Sequence, residues 1–108
     1  MPDKLSIYIV SVPNIDLAKT ISKALISECL AACVNIIPNI RSIYFWNGEI
    51  QDEAECILII KSQSSKYLEI TARIKEMHSY EVPEIIEIPI KYAEEAYAKW
   101  ILEYLKNE

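Results

Sequence analysis

Asn47-Gly48 separates two β-rich runs of matched length, Val34 to Trp46 and Glu49 to Lys61, and nothing else in the chain constrains its fold as tightly. A two-residue hairpin loop of type I′ requires positive φ at both central positions, which Asn and Gly adopt at least cost. Gly48 is the only glycine in 108 residues. The two-residue loop sets the register: Trp46 opposite Glu49, Tyr44 opposite Gln51 and Ser42 opposite Glu53 on one face, with Phe45–Ile50 and Ile43–Asp52 on the other. Pro38 has no amide hydrogen to give to a ladder, so the first arm is predicted to bulge or lie bare there. Arms of about thirteen residues at ~3.3 Å each reach some 40 Å, whereas a helix of about fifteen residues at ~1.5 Å covers little more than 20 Å. Helices of this length leave the tip uncovered, and both its faces carry large apolar side chains. Such a surface beside open strand edges is most simply covered by another copy of the chain, which predicts a homo-oligomer built through the hairpin.

The remaining segments fall into place around it. Leu5 to Val12 is apolar on both parities and reads as a central strand. Asn14 or Asp16 caps a helix running to about Ala31, with Leu17, Ile21, Leu25 and Cys29 as its inner stripe. Ser64 or Ser65 caps a second helix, in which Tyr67, Ile70, Ile74 and Met77 face inward, and which stops near His78-Ser79. Val82 to Ile90 contains an apolar strand, Ile85-Ile86-Glu87-Ile88, bracketed by Pro83 and Pro89, which suits a sheet edge. A last helix, about Glu94 to Lys106, aligns Tyr97, Trp100, Ile101, Tyr104 and Leu105, with Glu94 and Glu95 at its positive end. The order βαββαβ plus a C-terminal helix is the split βαβ, ferredoxin-like arrangement of the α+β class, here as a single domain over residues 1–108. That fold serves metal chaperones, small-molecule sensors and RNA binders alike, so function has to come from side chains.

Charge excludes some partners. With 11 Lys and Arg against 16 Asp and Glu, the net charge is −5, which disfavours nucleic acid and anionic membranes, since phosphate contacts need clustered cations. No run approaches the ~18 apolar residues of a membrane span, and Met1-Pro2-Asp3-Lys4 does not begin a secretory leader. Three cysteines, an odd number, fit a reducing compartment, so a cytoplasmic location is expected.

Few residues carry obvious chemistry. His78, the only histidine, opens a segment that also holds Glu81 and Glu84, and imidazole with carboxylate oxygen suits Cu(II) or Zn(II). A histidine at a helix end is more often simply a favourable charge near the dipole's negative pole. Cys29 and Cys33 have a Cys-x-x-x-Cys spacing, although they fall on different elements, and Cys56 reads as packing. Glu55, Lys61, Tyr44 and Glu84 are placed to gather in one cleft. One glycine cannot make a phosphate-cradling loop, and no local motif suggests a Ser-His-Asp set, so no enzymatic activity is predicted.

Four motifs, in order, give the chain a resemblance. They are Leu30-Ala31-Ala32-Cys33-Val34-Asn35-Ile36; Tyr44-x-Trp46-x-Gly48-x-Ile50 followed by Glu55; Lys61-Ser62; and His78-x-Tyr80-x-x-Pro83-Glu84. Together they resemble the CutA divalent-cation tolerance proteins over almost the whole chain. The resemblance implies a ferredoxin-like subunit, a homotrimer joined through extended strands, and binding of Cu(II) or another divalent cation, with no organic cofactor and no established reaction. It also implies likeness to PII-type signalling trimers, and hence an alternative function: a small anionic ligand held between subunits, with Lys61 as its anchor. On this resemblance His78, Cys33 and Glu84 are the candidate metal ligands, and Tyr44, Trp46, Glu55, Lys61 and Tyr80 line an inter-subunit cleft. Ser79 stands where a proline commonly follows the histidine, and no second histidine lies beside it.

Overall fold

The computed structural model describes residues 4–106. Strand β1 (Leu5–Val12) leads into helix α1 (Ile15–Ser27), then strands β2 (Cys33–Trp46) and β3 (Glu49–Gln63). A 3₁₀ turn (Ser64–Lys66) enters helix α2 (Tyr67–Met77), followed by strand β4 (Ile85–Pro89) and helix α3 (Glu95–Leu105). The strands form one antiparallel sheet in the order β2-β3-β1-β4, the ferredoxin-like order, with β1 central and β4 at an edge.

Alternation along the strands divides the sheet into two faces. Tyr8, Val10 and Val12 of β1 pair with Ile60, Leu58 and Cys56 of β3, and all six are buried under Ile21 and Leu25 of α1 and Ile70 and Ile74 of α2. The opposite face is covered only near one end, where Ile101 and Leu105 of α3 pack with Leu5 and Ala32. Beyond α3 that face stays open, with Ile37, Ile86 and Ile88 substantially exposed.

The hairpin has the register that the Asn47-Gly48 loop dictates, from Trp46↔Glu49 through Ser42↔Glu53. Asn47 and Gly48 take φ of 53° and 76°, as a type I′ loop requires. Between Ile37 and Ile40 the register slips at Pro38-Asn39, where Asn39 adopts φ 58°. The added residue keeps Ile40, Ser42, Tyr44 and Trp46 on the open face with Glu55 and Glu53. The molecule extends 46 Å along its longest axis against 25 and 23 Å across, because the hairpin overhangs the helices.

Several helix ends differ from the sequence expectations. Asn14, not Asp16, caps α1, its Oδ1 accepting the Leu17 amide at 2.8 Å. Helix α1 stops at Ser27 rather than Ala31. Cys29 turns left-handed at φ 58°, and the amides of Leu30 and Ala31 both return to the Leu25 carbonyl, a reversal the chain needs in order to enter β2. Neither Ser64 nor Ser65 caps α2. The 3₁₀ turn occupies that stretch, and the Ser64 hydroxyl bonds that of Ser6 at 2.6 Å. Strand β4, by contrast, is where expected: it spans Ile85–Pro89 and holds the Ile85–Ile88 run, with Val82–Glu84 in the loop before it.

Candidate functional site

The site begins where α2 ends. His78 closes the helix by donating its amide to the Ile74 carbonyl at 2.8 Å and then turns the backbone extended. Its Nδ1 accepts the Tyr80 amide at 3.1 Å, so that nitrogen carries no proton. The proton is therefore on Nε2, which donates to the Ser11 carbonyl at 2.7 Å at the end of β1. With both ring nitrogens engaged, His78 pins the loop after α2 to the sheet and sets Tyr80 beside its own ring, centroids 4.7 Å apart.

So positioned, Tyr80 donates its hydroxyl to Oε2 of Glu55 on β3. Glu55 is only 6% exposed, and this phenol is the hydrogen-bond donor that satisfies it. One turn of the pleat further out, Tyr44 donates to Glu53. These pairings hold both phenols protonated. The bond to Glu53 pushes the Tyr44 hydroxyl up to about 12, and burial first, then the bond to Glu55, raises Tyr80 further.

Between the hairpin's open face, Ser11 and the loop from Ser79 to Glu84 lies a cavity of about 620 Å³. Tyr44, Trp46 and Tyr80 form its aromatic wall and Glu55, Glu81 and Glu84 its charged groups; among the described residues no Lys, Arg or His lines it. A volume in the few-hundred to thousand Å³ range with a few convergent polar groups suits a small ligand.

Five of the expected residues thus meet: Tyr44, Trp46, Glu55, Tyr80 and Glu84. Two do not. Lys61 lies six residues along β3 from Glu55, roughly 20 Å at ~3.3 Å per residue, with its Nζ 5.6 Å from the Tyr97 ring of α3. Cys33 pairs with Lys61 across β2, its Sγ 4.0 Å from Asn35 Oδ1. Ser11, which holds His78, lies four residues along β1 from the Lys61 partner Ile7, so Cys33 and His78 cannot share an ion within one chain. Among the described residues no disulfide joins the cysteines. Among the described residues no three His, Cys, Asp or Glu side chains converge as a metal cluster. Sequence reasoning missed Glu53 and Ser42 as neighbours of the site, although hairpin parity puts both on the Tyr44 face. Ser11 gives no signal in sequence, since only the folded loop brings His78 to its carbonyl.

The comparisons with known proteins agree with this architecture. A divalent-cation tolerance protein CutA of Thermus thermophilus is 40% identical over 97 residues, 90% of this chain and 94% of that protein. The chloroplastic protein CutA 1 of rice is 46% identical over 92 residues, 85% of this chain but 52% of that longer protein. The crystal structure of CutA1 from Oryza sativa superposes with a TM-score of 0.94 at 40% identity, covering 98% of this chain and 97% of that one. The CutA1 divalent ion tolerance protein family matches residues 6–104, from β1 through α3, and the chain belongs to that family.

Proposed function

We propose that this chain forms a homotrimer that binds divalent cations, Cu(II) foremost, and acts in metal-ion tolerance in the cytoplasm, as a binding protein rather than an enzyme. The observation that carries the reading is the overhanging hairpin. It exposes Ile43, Phe45 and Ile50 at 68, 71 and 76% on one face and places the acidic cavity on the other. Covering those residues brings other chains against the cavity and makes it a cleft between subunits, with Lys61 facing the same assembly. The tolerance to divalent ions named for the family and its relatives supports the cation. Residues 1–108 act as one domain in this account.

The ligands proposed for the metal are His78, Glu84 and Cys33. Because Cys33 lies far from His78 within a chain, it serves an ion only together with groups of another subunit. His78 captures an ion through Nε2 by giving up its bond to Ser11 and shifting the ring proton to Nδ1, which releases the Tyr80 amide in turn. The alternative, an anionic ligand anchored by Lys61, is less favoured, since Lys61 lies outside a cavity that otherwise holds carboxylates. Among the described residues no helix is long and apolar enough to cross a membrane, and the net charge of −5 suits cations over nucleic acid.

Calorimetric titration of Cu(II) into the wild type and into His78→Ala, Glu84→Gln and Cys33→Ser tests the ligand set. Each variant is expected to bind about tenfold or more weakly, the usual scale for disturbing a metal's surroundings. Equal binding by all four proteins would remove these residues as ligands.

A further inference from the structure

The segment that joins α2 to β4, residues 78–84, is irregular along its whole length, yet it is fastened at three points. His78 Nε2 donates to the Ser11 carbonyl at 2.7 Å, the Tyr80 amide donates to His78 Nδ1 at 3.1 Å, and the Tyr80 hydroxyl donates to Glu55. The fasteners act in series. The imidazole ties the segment to the end of β1 and holds the Tyr80 backbone, and Tyr80 in turn ties it to β3.

This arrangement leaves His78 no nitrogen for another partner. A neutral imidazole has one N–H and one lone pair in its ring plane. Here the N–H is committed to Ser11 and the lone pair to the Tyr80 amide. The side chain is only half-buried, so its hydrogen bonds close it more than burial does. Freeing Nε2 moves the ring proton to Nδ1, which then meets the Tyr80 N–H as a second donor. That amide has to withdraw, and with it Tyr80 is drawn off Glu55, a carboxylate only 6% exposed. Any group that binds the imidazole therefore competes with the closed segment for the same ring.

We propose that residues 79–84 form a strap that closes His78 to ions, and that the bond from Tyr80 to Glu55 sets how tightly the strap closes. The strap itself stands on hydrogen bonds within one chain. Its effect on metal affinity rests on His78 as the ligand proposed above. Because the competition is reciprocal, weakening the strap tightens ion binding. A residue that ligated the ion, or only supported the site, would have the opposite effect when removed.

Diethyl pyrocarbonate, which acylates a free imidazole nitrogen, tests closure without any metal, since His78 is the only histidine. On the full-length protein in its native assembly, Tyr80→Phe is expected to react about fivefold or more faster than the wild type. Glu55→Gln, which keeps an acceptor for the Tyr80 hydroxyl but not its charge, is expected to fall between them. Equal rates for all three proteins would overturn the strap. Calorimetric titration with Cu(II) then tests the coupling, and Tyr80→Phe is expected to bind about fivefold or more tightly than the wild type. Equal or weaker binding by Tyr80→Phe, where the wild type binds Cu(II) and His78→Ala does not, would overturn the coupling and leave His78 a ligand. Faster acylation of Tyr80→Phe in a protein whose Cu(II) binding His78→Ala leaves unchanged would support the strap and remove His78 as a ligand.

Discussion

At the residue scale the site depends on two phenol–carboxylate pairs and one imidazole. Removing the Tyr80 hydroxyl takes from buried Glu55 its hydrogen-bond donor, so Tyr80→Phe is expected to cost about 1–3 kcal/mol, read as a lower urea midpoint with an unchanged slope. The same pairing appears in alkali. Of seven tyrosines, Tyr8, Tyr44, Tyr80 and Tyr104 are held above the ordinary value of 10.0: Tyr8 and Tyr104 chiefly by burial, Tyr80 by burial and Glu55, Tyr44 by its bond to Glu53. A phenol raised on folding adds stability that is fully present below its unfolded value and lost as pH rises through the folded one. For Tyr44 that window runs from about 10 to about 12. Ultraviolet titration is expected to show phenolates appearing at higher pH in the native protein than in urea; coincident native and urea titrations would contradict the pairing. Little of this was legible in sequence. His78 stood out as the lone histidine, but its two ring bonds depend on where the loop after α2 meets β1. Glu55 and Tyr80 are 25 residues apart and belong to different elements, so no local pattern could join them. Lys61, grouped with them by motif, lies at the far end of the same strand.

At the scale of elements, the chain's local chemistry was largely readable, and the hairpin most of all. Its loop residues, its register and the irregularity at Pro38 follow from period-two alternation and from residues whose backbone options are few. A Cβ at Gly48 would meet no atom within 4 Å, so Gly48→Ala tests backbone conformation alone. At φ 76° it is expected to cost about 1–2 kcal/mol in urea unfolding with no change in near-ultraviolet dichroism. Asn14→Ala, which removes the α1 cap, is expected to cost about 1 kcal/mol in the same assay. Helix ends were less legible because several polar residues at each compete for the capping role. Ser64 and Ser65 looked like caps on the pattern of serine before an apolar stripe, yet a 3₁₀ turn reaches α2 without a side-chain cap. Cys29 extended the apolar stripe of α1 by its spacing, although the chain had to reverse there to form β2.

At the scale of the whole molecule, the unequal reach of strand and helix governs everything else. A strand residue advances more than twice as far as a helical one, so a long hairpin over short helices leaves apolar surface that a single chain does not bury. The cavity, the exposed tip and the open face of β4 all follow from that geometry, and the proposed trimer is the arrangement that covers them. Charging the tip with Phe45→Glu and Ile50→Lys together is expected to shift sedimentation toward single chains, with the buried core and its dichroism unchanged. Native mass spectrometry of the untagged protein after equilibration with Cu(II) tests the central claim most directly. The expected species has three times the 12.4 kDa chain mass and retains metal that chelation removes. Single chains, or trimers whose mass Cu(II) leaves unchanged, would contradict it.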